Sequence, residues 1–310
     1  MKTAVLLAQG PRVRSLRVTT LMLLDHAIES LQAHQDEKVV HNIRKTTKRI
    51  RAALRLLREC LGPQAFRRDN RRVRDAARPL TAIRDTFVLT RTLATFPGHP
   101  LSLQHVLDSR YQRARRTFAR QGARIALQQL LATRDQLVGC SFADSEPASA
   151  TSGVKHTYKS GRKSLRKAKS RNDEALHECR KQAKQLRNQL ELLGTVFNAR
   201  CKKLHRRADR LARALGDDHD LSELARALRQ RPSDRALSKQ IKKRRRKLQS
   251  RAFRLGKRLY RHPAKHLKRT VAALRSRPPD LHERQTKGVT DGYQGESGRA
   301  TAHHHGQTIQ

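Results

Sequence analysis

The chain has 310 residues, of which 70 are Lys or Arg and 26 are Asp or Glu, and its formal net charge is +44. A charge of this size points to a polyanionic partner, namely nucleic acid, an anionic membrane or a phosphate polymer. Trp is absent and aromatics make up 4% of the chain, which argues against a β-sandwich. No apolar stretch approaches the ~18 residues that a membrane span needs, and the apolar run near the start is too short for a secretory signal.

Helical periodicity runs through most of the chain. In the first half it predicts helices over about residues 13–33, 38–61, 64–95 and 101–138, with a stop at Gly62-Pro63 and a break at Pro79. The small, polar residues 144–153 are predicted to form a linker between two halves. The second half repeats four helical stretches, over about residues 155–171, 173–198, 200–229 and 234–275, the last with a possible break at Pro263.

Four helical stretches on each side of the linker predict an all-α fold of two tandem four-helix bundles. From Pro278 onward the chain is rich in Gly, Thr and Gln, so we expect a disordered tail. The four cysteines show no metal-ligand spacing, and we interpret them as reduced thiols of a cytoplasmic protein.

One motif occurs twice, 136 residues apart. Residues 41–51 and 177–187 both fit H-x-x-R-K-x-x-K-x-x-R. A second pair of matches follows at an offset of 135, where Leu80 and Asp85 align with Leu215 and Asp220. Such a long period indicates one structural unit used twice.

On a helix, the basic residues of each motif fall on one side and its apolar residues on the other. A solvated polar face is the usual explanation for such a stripe. However, residues 41–58 contain seven Lys or Arg and no Asp or Glu, and like charges at i,i+4 cost roughly 0.2–0.5 kcal/mol per pair. We therefore interpret both stripes as anion-binding surfaces.

The chain resembles the CHAD domain, the conserved-histidine α-helical family. The two basic motifs carry the resemblance, together with the segments 82–89 (AIRDTFVL) and 215–221 (LGDDHDL), which resemble the R-D-x-x-V-L and L-G-x-x-x-D-L segments of the family. Segments 158–162 and 256–260 also resemble family positions. The likeness covers about residues 12–275. The chain departs from the pattern at Asn188, at Thr81, and at Glu191, which occupies the place that Arg55 has in the first half.

The resemblance implies a domain over 12–276, with a first half at 12–143, a second half at 154–276 and a tail at 277–310. It implies bundles related by a pseudo-twofold axis, with both basic helices lining one cationic surface that binds inorganic polyphosphate, and association with polyphosphate granules. The phosphate ligands that it implies are His41, Arg44, Lys45, Lys48, Arg51 and Arg55 in the first half, and His177, Arg180, Lys181, Lys184 and Arg187 in the second. Secondary candidates are Arg84, Tyr158, Arg162 and Arg258.

Two other functions stay open at the level of sequence. Residues 242–247 (KKRRRK) would suit a nucleic-acid-binding protein, although stacking and base-reading motifs are missing. A phosphohydrolase would need carboxylates that converge on a metal, and the E-x-E-x-K signature of the related CYTH triphosphatases is absent. We therefore expect no catalysis, no cofactor and no metal. We interpret Asp85 and the cluster 217–220 as helix-start residues, with the alternative that the aspartates orient an arginine.

Overall fold

The computed structural model describes residues 15–33, 37–142, 145–193, 199–228, 235–264 and 267. The described residues contain no β-strand, which confirms the predicted all-α class. The first five helices are α1 (Leu16–Ala33), α2 (Glu37–Leu56), α3 (Arg58–Ala77), α4 (Thr81–Leu93) and α5 (Leu101–Thr117). The next five are α6 (Ala123–Val138), α7 (Glu146–Lys167), α8 (Asp173–Leu192), α9 (Ala199–Leu228) and α10 (Arg235–Leu259).

Not all of the predicted breaks lie where the sequence placed them: the basic helix predicted over 38–61 ends at Leu56, and α3 begins at Arg58. Pro79 separates α3 from α4 as expected, because its ring cannot continue the hydrogen-bonded helix. Gly62 interrupts α3 with a φ of 74°, a left-handed conformation that Gly adopts readily. The long helix predicted over 101–138 is divided by a π-helical turn at Phe118–Gly122. A Cβ atom on Gly122 would lie 2.6 Å from the Phe118 ring, so this position needs glycine for close packing.

The predicted linker 144–153 is wrong from Glu146 onward, where α7 begins. The buried Glu146 carboxylate accepts the backbone N–H groups of Leu16 at 2.7 Å and Arg17 at 3.0 Å, and so caps α1. Ser149 donates its hydroxyl to the Leu56 carbonyl at 2.6 Å. The small, polar residues of this segment therefore allow α7 to approach α2 closely, a role that their composition does not distinguish from that of a flexible linker.

Helices from both halves of the chain share the hydrophobic interior. The larger core joins residues of α1, α2, α3, α4 and α6 to residues of α7, α8, α9 and α10. A smaller core packs Leu93 and Phe96 against Leu224, Leu228 and Ile241. The described residues belong to one compact unit, Met1–Arg275. A pair of tandem bundles is therefore not confirmed, and the predicted limits 12–276 and 277–310, which fall partly outside the described residues, stay predictions.

The two basic helices meet in this arrangement. α2 packs against α8, and α9 packs against both α8 and α4. The side chain of Arg49, on α2, pairs with that of Glu191, on α8. Asn172 caps α8 by accepting the Ala175 backbone N–H at 3.0 Å, which matches the preference of helix N-caps for Asn. The fold thus brings the duplicated motifs to one place.

Candidate functional site

A cleft of about 740 Å³ opens between α2 and α8, and residues of α4, α9 and α10 complete its walls. Eight lining residues are Lys or Arg and two are Asp. The cations are Arg44, Lys45, Lys48, Arg84, Arg91, Lys184, Arg187 and Arg244. A concave surface on which one sign of charge predominates focuses the electrostatic field and attracts ions of the opposite sign.

The first predicted stripe contributes four residues to this cleft, namely His41, Arg44, Lys45 and Lys48. Arg51 lies farther along α2 in a neighbouring groove between α2 and α3. Arg55 lines a third cavity, against α3 and α7, where its Nη1 donates to the Arg51 carbonyl at 3.0 Å. The stripe is therefore shared among three concave surfaces.

The second predicted stripe contributes Lys184 and Arg187. Arg187 donates from Nε and Nη2 to the Asn188 side-chain oxygen at 3.2 and 2.8 Å. Lys181 is exposed and pairs with Glu178 at 3.0 Å instead of lining the cleft. The two copies of the motif thus contribute different sets of charged residues to the same cleft.

Lys48 and Lys184 hold equivalent positions in the two motifs and line the same cleft. The surrounding protein atoms lower the pKa of Lys48 to about 7, and Arg44 and Arg84 add to this effect. Lys48 is solvent-exposed, but it lies in a concavity where atoms on several sides reduce its hydration. Burial, followed by Arg180 and Lys48, lowers the pKa of Lys184 to about 6. Near neutral pH these lysines carry only part of their usual charge, which an anion in the cleft would restore.

Arg84 lies at the junction of the two halves. Its Nη1 donates to Asp85 at 2.9 Å, and its Nη2 donates to Asp220 at 3.2 Å. Asp220 lies inside the long helix α9, and Asp85 lies beyond the first turn of α4, so the helix-start interpretation is wrong both for Asp85 and for the cluster 217–220. The alternative, that these aspartates orient an arginine, is confirmed for Asp85 and Asp220.

Two histidines form a pair behind the cleft. The ring centroids of His177 and His219 lie 4.7 Å apart, with their Nδ1 atoms at 3.4 Å. Burial and Arg180 lower the pKa of His219 to about 3. The pKa values of His177 and of His41, which is exposed in the cleft, are also lowered by burial and by nearby cations. The arrangement favours neutral imidazoles near pH 7.

Two arginines of the predicted set lie partly beneath the surface. Arg180 is 8% exposed, and its Nε has no hydrogen-bond partner within the described part of the chain. Arg44 donates from Nη1 to the Thr81 hydroxyl at 2.8 Å and to the Ala77 carbonyl at 3.3 Å. These contacts fix the Arg44 guanidinium against the start of α4. Because a guanidinium fork matches two phosphate oxygens, a fixed fork at the cleft wall suits phosphate recognition.

The remaining secondary candidates lie near the end of α10. Tyr158 is buried, and its hydroxyl donates to the carbonyls of Leu259 at 3.1 Å and His262 at 2.9 Å. Burial raises the pKa of Tyr158, and Arg162 partly offsets that rise. Arg258 is exposed, and its carbonyl accepts a hydrogen bond from Arg207 at 3.2 Å. Tyr158, Arg162 and Arg258 are not among the residues that line the cleft.

The sequence and the fold are both similar to those of a known family. The CHAD domain family matches residues 22–229. The chain belongs to the CHAD family. A solved structure, the CHAD domain from the plant Ricinus communis, superposes with a TM-score of 0.52 at 18% identity and covers 84% of this chain and 90% of that one. No protein of curated function matches the sequence.

Sequence reasoning missed two cations of the CHAD cleft. Arg91 lies over the Phe87 ring at 5.8 Å, and Arg244 lies over the Phe96 ring at 4.1 Å. Arg244 belongs to the basic run 242–247, but its neighbour Arg245 instead forms ion pairs with Asp218 at 3.0 Å and Asp173 at 2.5 Å. For Arg91, helical spacing could have predicted the contact, because Phe87 and Arg91 are four residues apart on one face of a helix. The Arg244–Phe96 contact joins distant parts of the chain and has no local signal.

The part of the chain that the structure describes holds no cluster of three or more His, Cys, Asp or Glu side chains suited to a metal ion. Of the helices in this part of the chain, none is long and apolar enough to cross a membrane. All four cysteines are free thiols, and Cys179 and Cys201 are buried.

Proposed function

We propose that this CHAD protein binds inorganic polyphosphate in the cleft between α2 and α8, without chemical turnover. The observation that carries the proposal is the convergence of Lys48 and Lys184, equivalent residues of two duplicated motifs, on one cleft that has eight Lys or Arg and two Asp side chains. A linear polyanion would neutralise cations from both helices at once. The CHAD family resemblance implies the same ligand.

The wall chemistry favours a phosphate polymer over nucleic acid. Phe87 is the one Phe, Tyr or Trp among the residues that line the cleft, and Arg91 lies over its ring. Single-stranded nucleic acids gain about 1–3 kcal/mol per base from stacking on aromatic side chains, and this cleft has no row of aromatic rings on which successive bases could stack. Polyphosphate has no bases, so arginine and lysine supply the contacts that it needs.

The two carboxylates that line the cleft are consistent with a site that binds polyphosphate without hydrolysing it. Asp220 holds Arg84, and Asp217 is the other acidic residue in the lining. We expect purified protein with Mg²⁺ or Mn²⁺ to leave polyphosphate chains intact. Phosphate release or chain shortening that copurifies with the protein and disappears in Asp217→Asn or Asp220→Asn would contradict this part of the proposal. A cytoplasmic location at polyphosphate granules would follow from such binding.

The experiment that tests the ligand is a competition at fixed physiological salt. Labelled long-chain polyphosphate is displaced by unlabelled polyphosphate, single-stranded DNA or RNA, or double-stranded DNA, all matched in charge. We expect polyphosphate to compete best, with affinity falling steeply as salt rises because counterions are released on binding. Equal or better displacement by nucleic acid would make nucleic-acid binding the correct function.

Charge-matched variants test the place of binding. Lys48→Gln with Lys184→Gln removes two cations from the cleft, and Lys242→Gln with Lys243→Gln removes two exposed cations from α10 outside it. We expect the cleft variant to lose affinity about tenfold more than the control, which corresponds to about 1.4 kcal/mol. Equal losses would mean that the protein attracts polyanions diffusely and has no defined site.

A further inference from the structure

A groove of about 500 Å³ between α2 and α3 continues the cleft in one direction. It shares Arg44 and Lys48 with the cleft, so the two spaces are adjacent along α2. The other residues that line it are Thr47, Arg51, Arg74, Asp75, Ala77, Arg78 and Thr81. Neither Arg74 nor Arg78 belongs to the duplicated motif.

The groove carries an excess of positive charge. Five of its lining residues are Lys or Arg, and Asp75 is its one carboxylate. Asp75 accepts a hydrogen bond from Arg74 at 3.0 Å. Arg51 and Arg74 line the same groove, and burial and then Arg74 lower the pKa of Arg51, with Asp75 acting in the opposite direction. An anion between the two guanidinium groups would relieve the repulsion between them.

The second half differs in which residue its carboxylate contacts. The offset of 136 aligns Arg51 with Arg187, and the offset of 135 aligns Arg74 with Asp209. Asp209 lies 3.7 Å from the Arg187 Nη1 and also pairs with Arg213. In the first half the carboxylate Asp75 pairs with Arg74, and the Arg51 Nε donates to the neutral Asn70 side chain at 3.0 Å. In the second half a carboxylate pairs with the motif arginine itself.

Four residues farther along the helix, the two halves differ in the sign of the charge. Arg55 of the first half aligns with Glu191 of the second, and Glu191 pairs with Arg49 across the interface of α2 and α8. Arg55 lines a cavity together with Arg58 and His156, and burial and the neighbouring Arg51 and Arg58 lower its pKa to about 10. Positive charge thus extends beyond the cleft along the first basic helix and is neutralised along the second.

We propose that Arg51, Arg74 and Arg78 form an additional phosphate subsite, through which a bound polyphosphate chain leaves the cleft on the α2–α3 side only. The inference rests on the proposed function, because it extends the same site. A short oligomer would occupy the cleft alone, whereas a long polymer would also fill the groove. The protein would consequently distinguish chain lengths through Arg74 and Arg78.

The test compares two ligands, tripolyphosphate and long-chain polyphosphate, on the full chain. Arg74→Gln with Arg78→Gln removes two exposed cations from the groove, and Lys242→Gln with Lys243→Gln is the matched control. We expect the groove variant to bind long polymer roughly fivefold more weakly than the control does, which corresponds to about 1 kcal/mol in total. Its affinity for tripolyphosphate should equal that of the control. Thermal melting of each variant checks that the fold is intact.

The outcomes separate this inference from the function on which it rests. A wild-type protein that binds neither ligand overturns the proposed function. A wild type that binds both, with a groove variant equal to the control on long polymer, overturns the subsite and leaves the function standing. Equal losses on tripolyphosphate and long polymer also overturn it, because a subsite outside the cleft should not affect the short ligand.

A second variant tests the half of the chain in which carboxylates pair with the cations. Asp209→Asn frees Arg187 and Arg213 in the second half, and Asp135→Asn, at a side chain 72% exposed on α6, makes the same change of charge elsewhere. We expect Asp209→Asn to bind long polymer about threefold more tightly than Asp135→Asn, because a second exit becomes cationic. Equal affinities would show that Asp209 does not limit the path of the polymer, and would contradict the one-sided exit.

Discussion

Arg84 of α4 donates a hydrogen bond to Asp220 of α9 at 3.2 Å, and this pair joins the two repeated halves at the edge of the cleft. Asp85, the residue equivalent to Asp220 in the first half, accepts from the same arginine at 2.9 Å. One arginine is thus held by both copies of a duplicated aspartate. The pairing keeps a guanidinium at the cleft wall despite the surrounding cations.

Asp220→Asn should destabilise the protein without ligand. Arg84 would then face Arg180 and Arg44 with one carboxylate fewer, and the loss of a charged hydrogen-bond partner costs about 1–3 kcal/mol. Chemical denaturation measures this change in the free energy of unfolding. Asp217→Asn is the control, because Asp217 lines the same cleft but is exposed, and its effect should stay within about 0.5 kcal/mol. Equal effects of the two variants would show that the Arg84 pair contributes nothing specific.

Polyphosphate binding should take up protons. Without ligand the pKa of Lys48 is about 7 and that of Lys184 about 6, and nearby phosphate oxygens would raise both values. Between pH 6 and pH 8 the complex then holds more protons than the free protein, so affinity should rise as the pH falls through this range. Calorimetry in buffers of different ionisation enthalpy measures the uptake directly. Lys48→Gln with Lys184→Gln should reduce it, and unchanged uptake would place the titrating groups elsewhere.

The same pKa shift predicts how Lys184→Met affects stability. The ordinary lysine pKa of 10.5 falls to about 6 in the folded protein, so over that interval the unfolded chain holds the proton and the folded chain does not. Lys184 therefore costs stability as the pH falls from about 10 to 6, and the cost vanishes above the unfolded value. Lys184→Met should be more stable than wild type near pH 6, with the advantage shrinking toward pH 10. Urea denaturation of both proteins at several pH values measures this dependence. An advantage that is constant with pH would indicate packing alone.

The sequence predicted the main features of the site because they are local. The period of a helix places His41, Arg44 and Lys48 on one face, and the repeat shows that the pattern occurs twice. The excess of positive charge in each stripe indicates an anionic partner. These properties depend on residues at most a few turns apart, so helical geometry determines them before any tertiary contact forms.

The remaining features depend on contacts between distant helices. Arg49 follows Lys48 in a basic run, but it is 8% exposed and pairs with Glu191, 142 residues away in the chain. Arg180 fits the motif as well as Lys184 does, but it is buried behind the cleft. The interface of α2 with α8 and α9 decides which cations face the ligand. Periodicity alone cannot separate the cations that line a cleft from those that support its wall.

The contact of α7 with α2 offers a test of the packing that holds the first basic helix in place. A Cβ atom on Gly153 would lie 2.6 Å from the Arg55 carbonyl oxygen and 3.1 Å from the Leu56 Cα. Both are backbone atoms, which cannot move aside as the end of a flexible side chain can. Gly153→Ala should therefore force α7 away from α2.

We expect Gly153→Ala to lower the free energy of unfolding by about 1–3 kcal/mol, the usual cost of overpacking a well-packed interior. Gly139→Ala is the matched control, since a Cβ there meets its nearest neighbour, the Gln136 carbonyl oxygen, at 3.8 Å, an ordinary contact. Chemical denaturation of both variants at one pH gives the comparison. Because Gly153 touches α2 at Arg55 and not at the cleft, tripolyphosphate should bind the folded variant as it binds wild type. A Gly153→Ala protein as stable as Gly139→Ala would mean that α7 does not need glycine to approach the basic helix.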